Sequence, residues 1–455
     1  MQLDKYSHIY FLGVGGIGMS ALARYFKACG KTVSGYDKTR TQLTDELSGE
    51  GISIHFEESI KIFLRECPDS STTLVIYTPA IPSDHNELVY ARSNGFNLMK
   101  RSEVLGLISK MARTIAVAGT HGKTTTSSII TQVFHHNRLH VSAFLGGIAK
   151  NIDSNLLLDE DLLNKKNEEQ WIIAEADEYD RSFLKLYPYI GVITSLDADH
   201  LDIYGTREEM VRNYNEFANQ VSGKLFVKKG LAIQAPHQTY GIEDKADFWG
   251  HNLRVIDYNY VFDCETPQGV MKDMMLGLPG HHNVENAVVA IAVSLAAGLS
   301  ETQIRDGLAQ YLGVRRRFDY QVRNKKLIYL DDYAHHPAEL KACISSIKEI
   351  YPDKKVTGIF QPHLFSRTRD FADGFAESLS LLDRLILMDI YPAREKPIPG
   401  VNSQMILEKV KIKDKAILSR QEIMKEMERT TPEVLLTLGA GDIDQLVKPL
   451  KTLFE

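Results

Sequence analysis

Over its first hundred residues the chain alternates short apolar runs with longer amphipathic ones. HIYFLGV, KTVSGYD and TTLVIYT are rich in β-branched and aromatic residues and predict strands, with helical stretches between them. That rhythm is the βαβ repeat of a parallel sheet. A polar joint, SKMAR, precedes a fresh strand at TIAVAG and places a first boundary near Arg113. The second region again opens strand–loop–helix. In it, the charged run Asp159–Gln170 predicts a solvated insertion, and LPGHHNVENAVVAIAVSLAAGLS a turn leading into a buried helix. Near VRRRF the pattern resets. KLIYLDDYA, KVTGIFQP, RLILMDIY and EVLLTLGAG then supply four more strands. The expectation is an α/β protein of three domains, spanning 1–113, 114–317 and 318–455.

Bulk properties narrow the class. The 455 residues exceed what one core serves, and 44% hydrophobic with 25% charged residues is ordinary for a soluble globular protein. A net charge of −6 argues against nucleic acid as the main partner. Cys29, Cys67, Cys264 and Cys343 show neither metal spacing nor a CxxC pair, which predicts reduced thiols. The start, MQLDKYSHIY, has no signal-peptide pattern, and no apolar run is long enough to span a bilayer. A cytoplasmic enzyme is expected, without a membrane or nucleic-acid partner.

Two phosphate cradles stand out. In FLGVGGIGMSALA, Gly13, Gly15 and Gly18 follow a strand and precede a helix, where backbone N–H groups can meet a diphosphate. Asp37, after the second strand, stands where an acidic residue holds a ribose hydroxyl. The fingerprint does not say which nucleotide binds. In AVAGTHGKTTT the phosphate loop is one glycine short, because the position five before the GK pair is Val117. Lys123 can still reach β- and γ-phosphates, and the Thr124 hydroxyl can ligate Mg²⁺. The loop points to ATP or GTP turnover.

Carboxylates cluster beyond it. Glu175, Asp177, Glu178 and Asp180 end one strand, where hard oxygens suit Mg²⁺ or form a solvated acidic turn. Asp197, Asp199, His200 and Asp202 end another, with His200 either a metal ligand or a hydrogen-bonded histidine. Asn283 and Asn286, one turn apart, either cap a helix or read an adenine edge. An arginine of Arg315–Arg317 could stabilise a transferring phosphoryl group or belong to a solvated hinge. In the third region Asp332, His335, His336, His363, Arg367 and Arg369 follow strand ends and predict a site for a small zwitterion.

GTHGKTTT, EADE, DADH, GHHNVENA, RRF, DDYAHHP and QPHLFSRTRD occur in the order seen in the Mur ligases, which the chain resembles along nearly its whole length. These are ATP-dependent amide-bond synthetases of peptidoglycan precursor synthesis. GVGGIGMSALA and YPAREKPIPGVNS resemble the branch that joins L-alanine to UDP-N-acetylmuramate. The resemblance implies a Rossmann-like amino-terminal domain for the UDP-sugar, a central phosphate-loop ATPase domain, and a Rossmann-like carboxy-terminal domain for the amino acid. It implies ATP bound by Gly119, Thr120, His121, Gly122, Lys123, Thr124, Thr125, Asn283, Asn286 and Asp332. Mg²⁺ would be held by Thr124, Glu175 and His200, and catalysis served by Lys123, Glu175, His200 and Arg317. The UDP-sugar would meet Gly15, Gly16, Ile17, Gly18, Asp37 and Thr78, and L-alanine His335 and Arg367. Two positions depart from the family pattern: Tyr179, where serine is common, and Leu364, where a basic residue is common. The chain is expected to be a monomer or a homodimer. Rival readings are a murein tripeptide ligase, an NAD-dependent dehydrogenase suggested by the first fingerprint alone, and a nucleotide-gated binding module without turnover.

Overall fold

The computed structural model describes residues 3–159, 170–197, 204, 206–393 and 395–455. The chain builds three sheets. The first contains β1 (His8–Leu12), β2 (Thr32–Tyr36), β3 (Ser53–His55), β4 (Thr73–Tyr77) and β5 (Asn97–Lys100), all parallel, in the order β3-β2-β1-β4-β5. Ile9 to Leu12 are wholly buried, as a strand covered on both faces by helices requires. The strand order reverses between β1 and β4, so a crevice opens at their carboxyl ends, beside Gly13 and Thr78.

The second sheet contains β6 (Arg113–Ala118), β7 (Val141–Ala149), β8 (Ser154–Leu157), β9 (Trp171–Ala176), β10 (Ile190–Ile193), β11 (Lys224–Lys228), β12 (Gln238–Gly241), β13 (Phe248–Ile256), β14 (Asn259–Thr266) and β15 (Gly269–Leu276). Its order is β15-β14-β13-β12-β11-β10-β6-β9-β7-β8. β6 lies between β9 and β10 and is parallel to both. The phosphate loop therefore emerges between the two strand ends that carry the acidic motifs. The third sheet contains β16 (Asp319–Arg323), β17 (Ile328–Asp332), β18 (Val356–Phe360), β19 (Arg384–Leu387), β20 (Lys415–Ile417) and β21 (Val434–Leu438), in the order β16-β17-β21-β18-β19-β20. Only β16 runs antiparallel to its neighbour.

The chain divides into two compact units: Met1–His251 with Cys264–Lys272 and Glu285–Tyr311, and Asn252–Asp263 with Asp273–Val284 and Leu312–Glu455. Within the first, one apolar core runs from the first sheet into the second, through Tyr25, Phe26, Phe144, Ile172 and Phe183. The buried amide of Asn155 donates to Ile17 O at 2.6 Å and Ser20 Oγ at 2.8 Å, and accepts from Arg24 at 2.6 Å. This fastens the helix Ile17–Ala28, which follows the first glycine-rich turn, to β8. Both cradles thus belong to one unit. Among the described residues no helix is long and apolar enough to cross a membrane. The charged run expected to be a solvated insertion lies almost wholly outside the described residues.

Candidate active site

Val117 stands where a longer phosphate loop would have glycine because it is still inside β6, fully buried. The turn proper is Gly119–Gly122, and the helix Lys123–His136 starts directly after it. Gly119 has φ +134°, and a Cβ there would sit 2.0 Å from Thr194 Oγ1, so only glycine fits. Two residues the sequence reading passed over pin this loop. Thr194 Oγ1 donates to Ala118 O at 3.0 Å, and Ser195 Oγ accepts from His121 N at 2.8 Å. Ser195 Oγ also lies 3.0 Å from Thr120 Oγ1, which accepts from Asp197 N at 2.9 Å. Their one sequence signal is position: polar residues at the exit of a buried strand, immediately before the DADH segment.

Lys123 is buried, and its Nζ donates to Gly119 O at 2.6 Å and pairs with Glu178 at 2.7 Å. Burial works against the ammonium, yet Glu178, Glu175 and Asp177 together hold its pKa above the ordinary lysine value. Thr124 Oγ1 donates to Glu175 Oε2 at 2.8 Å, so a hydroxyl and a carboxylate oxygen meet at the start of the helix. Thr125 is buried behind them. The other three carboxylates expected as hard metal ligands are engaged elsewhere. Asp177 pairs with Arg101 at 2.7 Å, Glu178 with Lys123, and Asp180 with Lys100 at 2.7 Å. Asp180 and Arg181 both take φ of 55°, a left-handed pair that turns the chain sharply after the strand. Tyr179, which departs from the family pattern, is exposed on this turn. Asp199, His200 and Asp202 lie outside the described residues, and no cluster of three or more metal-ligating side chains occurs among the described ones.

Asn286 is buried, and its Oδ1 accepts from Thr126 at 3.1 Å beneath the phosphate loop. Asn283 is buried too, and its amide donates to Pro279 O at 2.6 Å.

At the first cradle Gly15 N donates to Asp37 Oδ2 at 2.8 Å, and Asp37 Oδ1 accepts from Thr39 N at 3.0 Å. The amide of Gly15 is therefore directed at Asp37 rather than outward. The amides of Ile17 and Gly18, the first two of the helix, have no partner within it. Gly16 is the N-cap and offers no side chain to them. A Cβ on Gly15 would lie 2.7 Å from Thr44 Cγ2 and 2.8 Å from Asp37 Oδ2. Gly15→Val is thus expected to unseat Asp37 and the turn, weakening any diphosphate ligand of this cradle at least tenfold while a nucleotide at the Gly119–Gly122 loop stays within about twofold. Calorimetric titration of each ligand checks this.

In the second unit Asp332 ends β17, and its carboxylate accepts from Phe318 N and Ala334 N, both at 2.7 Å. Burial pushes its pKa up to about 7. Among the three arginines the structure separates roles. Arg316, with φ 62°, donates to Asp331 at 3.2 Å and to Gly439 O at 2.7 Å. Arg317 makes no ion pair among the described residues, and its charge acts on Asp332 and His335. His335 Nδ1 donates to Tyr333 O at 2.9 Å, and its ring lies 6.1 Å from that of His363. Burial lowers the pKa of both, that of His363 to about 4, and Arg367 opposes protonation of each. Two of the residues expected at this edge serve otherwise. His336 caps the helix Pro337–Ile350, and Arg369 pairs with Asp370 at 2.7 Å on the surface.

Leu364 takes φ 70°, a strained conformation for a leucine, immediately before the helix Phe365–Asp370 that carries Arg367. Three residues missed in the sequence hold this corner. Tyr391 stacks on His363, Glu395 accepts from Ser366 N at 2.9 Å, and Gln361 donates to Asp442 at 2.7 Å. YPARE was visible as a motif, and LGAG as the end of a strand run. That they converge on β18 was not.

Sequence profiles match the chain in three segments: Mur ligase family, catalytic domain, over residues 8–113; Mur ligase middle domain over 117–294; and Mur ligase, glutamate ligase domain, over 316–443. The UDP-N-acetylmuramate–L-alanine ligase of Parabacteroides distasonis is 48% identical, with 99% of this chain and 98% of that protein covered. The ligase of the same name from Flavobacterium johnsoniae is 47% identical, over 99% and 98%. Among solved structures, the UDP-N-acetylmuramate–alanine ligase of Thermotoga maritima superposes with a TM-score of 0.84 at 26% identity, covering 98% of this chain and 99% of that one. The chain belongs to the Mur ligase family.

Proposed function

We propose that this chain is an ATP-dependent ligase that joins L-alanine to the lactyl carboxylate of UDP-N-acetylmuramate, in cytoplasmic peptidoglycan precursor synthesis. The observation that carries this reading is the full-length likeness, at 48% identity, to a ligase of that activity. A dehydrogenase leaves the phosphate loop unexplained, and a binding module leaves Lys123, Thr124 and Glu175 without a task. A murein tripeptide ligase would share the sugar and differ in the amine donor.

The reaction needs activation because a carboxylate is a poor electrophile. A lactyl oxygen attacks the γ-phosphorus of ATP and ADP leaves. The amine of L-alanine then attacks the acyl carbon and inorganic phosphate leaves, carrying the lactyl oxygen. Gly119, Thr120, His121 and Gly122 present the loop to the phosphates, and Lys123 leaves Glu178 to neutralise charge on the transferring group. Thr124 and Glu175 offer two hard oxygens 2.8 Å apart, a donor set that suits Mg²⁺, with His200 as a further ligand. Mg²⁺, when bound there, withdraws charge from the phosphate oxygens. Asn283 and Asn286 flank the adenine, Asp332 the ribose, and Arg317 the transferring phosphoryl group. The neutral His335 donates through Nδ1, which leaves Nε2 as an acceptor for the ammonium of L-alanine.

Arg367 pairs with the alanine carboxylate in this reading. Arg367→Ala is expected to raise the Michaelis constant for L-alanine roughly tenfold or more and that for ATP by less than twofold. An equal rise in both would remove Arg367 from the alanine site. The reading as a whole is tested by phosphate release with ATP, Mg²⁺ and UDP-N-acetylmuramate across L-alanine, glycine, L-serine and the murein tripeptide. L-alanine should give the highest kcat/KM, and preference for the tripeptide would transfer the chain to the rival ligase.

A further inference from the structure

Arg101 lies at the start of the helix Arg101–Ser109, directly after β5, and has no part in the site built so far. Its guanidinium lies against the first glycine-rich turn. A Cβ on Gly18 would be 2.5 Å from Arg101 Nη1 and 3.3 Å from its Cδ and Cζ. Gly18 is thus the glycine that makes room for a cation. The same guanidinium donates through Nη2 to Asp177 Oδ2 at 2.7 Å, and the side chain is 19% exposed. Nη1 and Nε have no hydrogen bond among the described residues. Beside Nη1 stands Gly18, in the first turn of a helix whose opening amides, of Ile17 and Gly18, have no partner within it and whose first turn holds no acidic residue. A guanidinium, open amides and the positive end of a helix dipole repel one another unless an anion sits among them. Asp177 answers for one edge of the guanidinium only.

We infer that Arg101 is a diphosphate-contacting residue of the UDP-sugar site, held in place by Asp177 of the loop that follows β9. The inference rests on the functional reading above and adds a side chain to a cradle otherwise made of backbone. Nη1 would meet a phosphate oxygen beside Gly18, while Nη2 keeps its bond to Asp177. Asp177 is a positioning residue here. It adjoins Glu178, the partner of Lys123, so one short loop serves both cradles.

Binding of UDP-N-acetylmuramate, UDP and uridine to the full-length protein separates the possibilities, with calorimetry for the nucleotides and ligand-observed NMR for uridine. Arg101→Ala should weaken UDP and the UDP-sugar by about tenfold to a hundredfold and leave uridine within twofold. Arg101→Lys should recover part of the loss, since it keeps the charge but cannot bond Asp177 and the phosphate from two separate nitrogens. Asp177→Asn should weaken UDP by less than Arg101→Ala, and the double variant should bind no worse than Arg101→Ala alone. Equal weakening of uridine, or unchanged UDP binding in Arg101→Ala, would reduce Arg101 to a brace between sheets and overturn the assignment. A wild-type protein that bound neither UDP nor the UDP-sugar would overturn the functional reading itself, and this assignment with it.

Discussion

Replacing Lys123 with alanine should lower kcat by about a hundred- to a thousandfold, while UDP-N-acetylmuramate binding holds within about twofold. The lysine sits at the first position of the helix after the Gly119–Gly122 turn, and its charge matters most while the phosphoryl group is in transit. Removing it also strands the buried Glu178, and breaking such a pair costs about 3–5 kcal/mol of stability. The two effects can be parted. Adding Glu178→Gln to Lys123→Ala removes the stranded charge and should restore the melting temperature without restoring turnover. Recovery of turnover in the double variant would mean that Lys123 acts by neutralising Glu178, not by meeting phosphate.

Glu175→Gln should also abolish most turnover, again by about a hundredfold or more, through a different route. The amide keeps the shape and can still bond Thr124, so the fold should be unchanged. What it loses is the charge that makes the Thr124–Glu175 pair a hard-oxygen site. ATP affinity measured with and without Mg²⁺ reads this directly. In the wild type Mg²⁺ should tighten ATP binding, and in Glu175→Gln that gain should largely vanish while metal-free binding stays put. A variant with the full Mg²⁺ gain would move the metal to other carboxylates.

Much of this was legible in the sequence because it is written locally. β1, β6, β9, β17 and β21 are continuous apolar runs ended by glycine or acid, and those ends are where the site residues lie. The short phosphate loop could be read from GTHGKTTT alone. What stayed hidden is pairing across distance. Four carboxylates at the end of β9 and just beyond it look alike in a string, but folding sends three of them to Arg101, Lys123 and Lys100 and leaves Glu175 beside Thr124. Arg101 carries no motif at all; its role appears only when β5 and Gly18 are brought side by side. His336 and Arg369 misled for the opposite reason. They follow strand ends in sequence, yet helix capping and a neighbouring aspartate claim them first.

The central claim is that bond formation passes through phosphorylation of the sugar's own carboxylate. Label both lactyl carboxylate oxygens of UDP-N-acetylmuramate with ¹⁸O, supply ATP, Mg²⁺ and L-alanine, and determine the mass of the released phosphate. The account predicts one ¹⁸O in each phosphate formed, in step with an amide product that retains the other. Unlabelled phosphate, or release at the same rate without L-alanine, would contradict it.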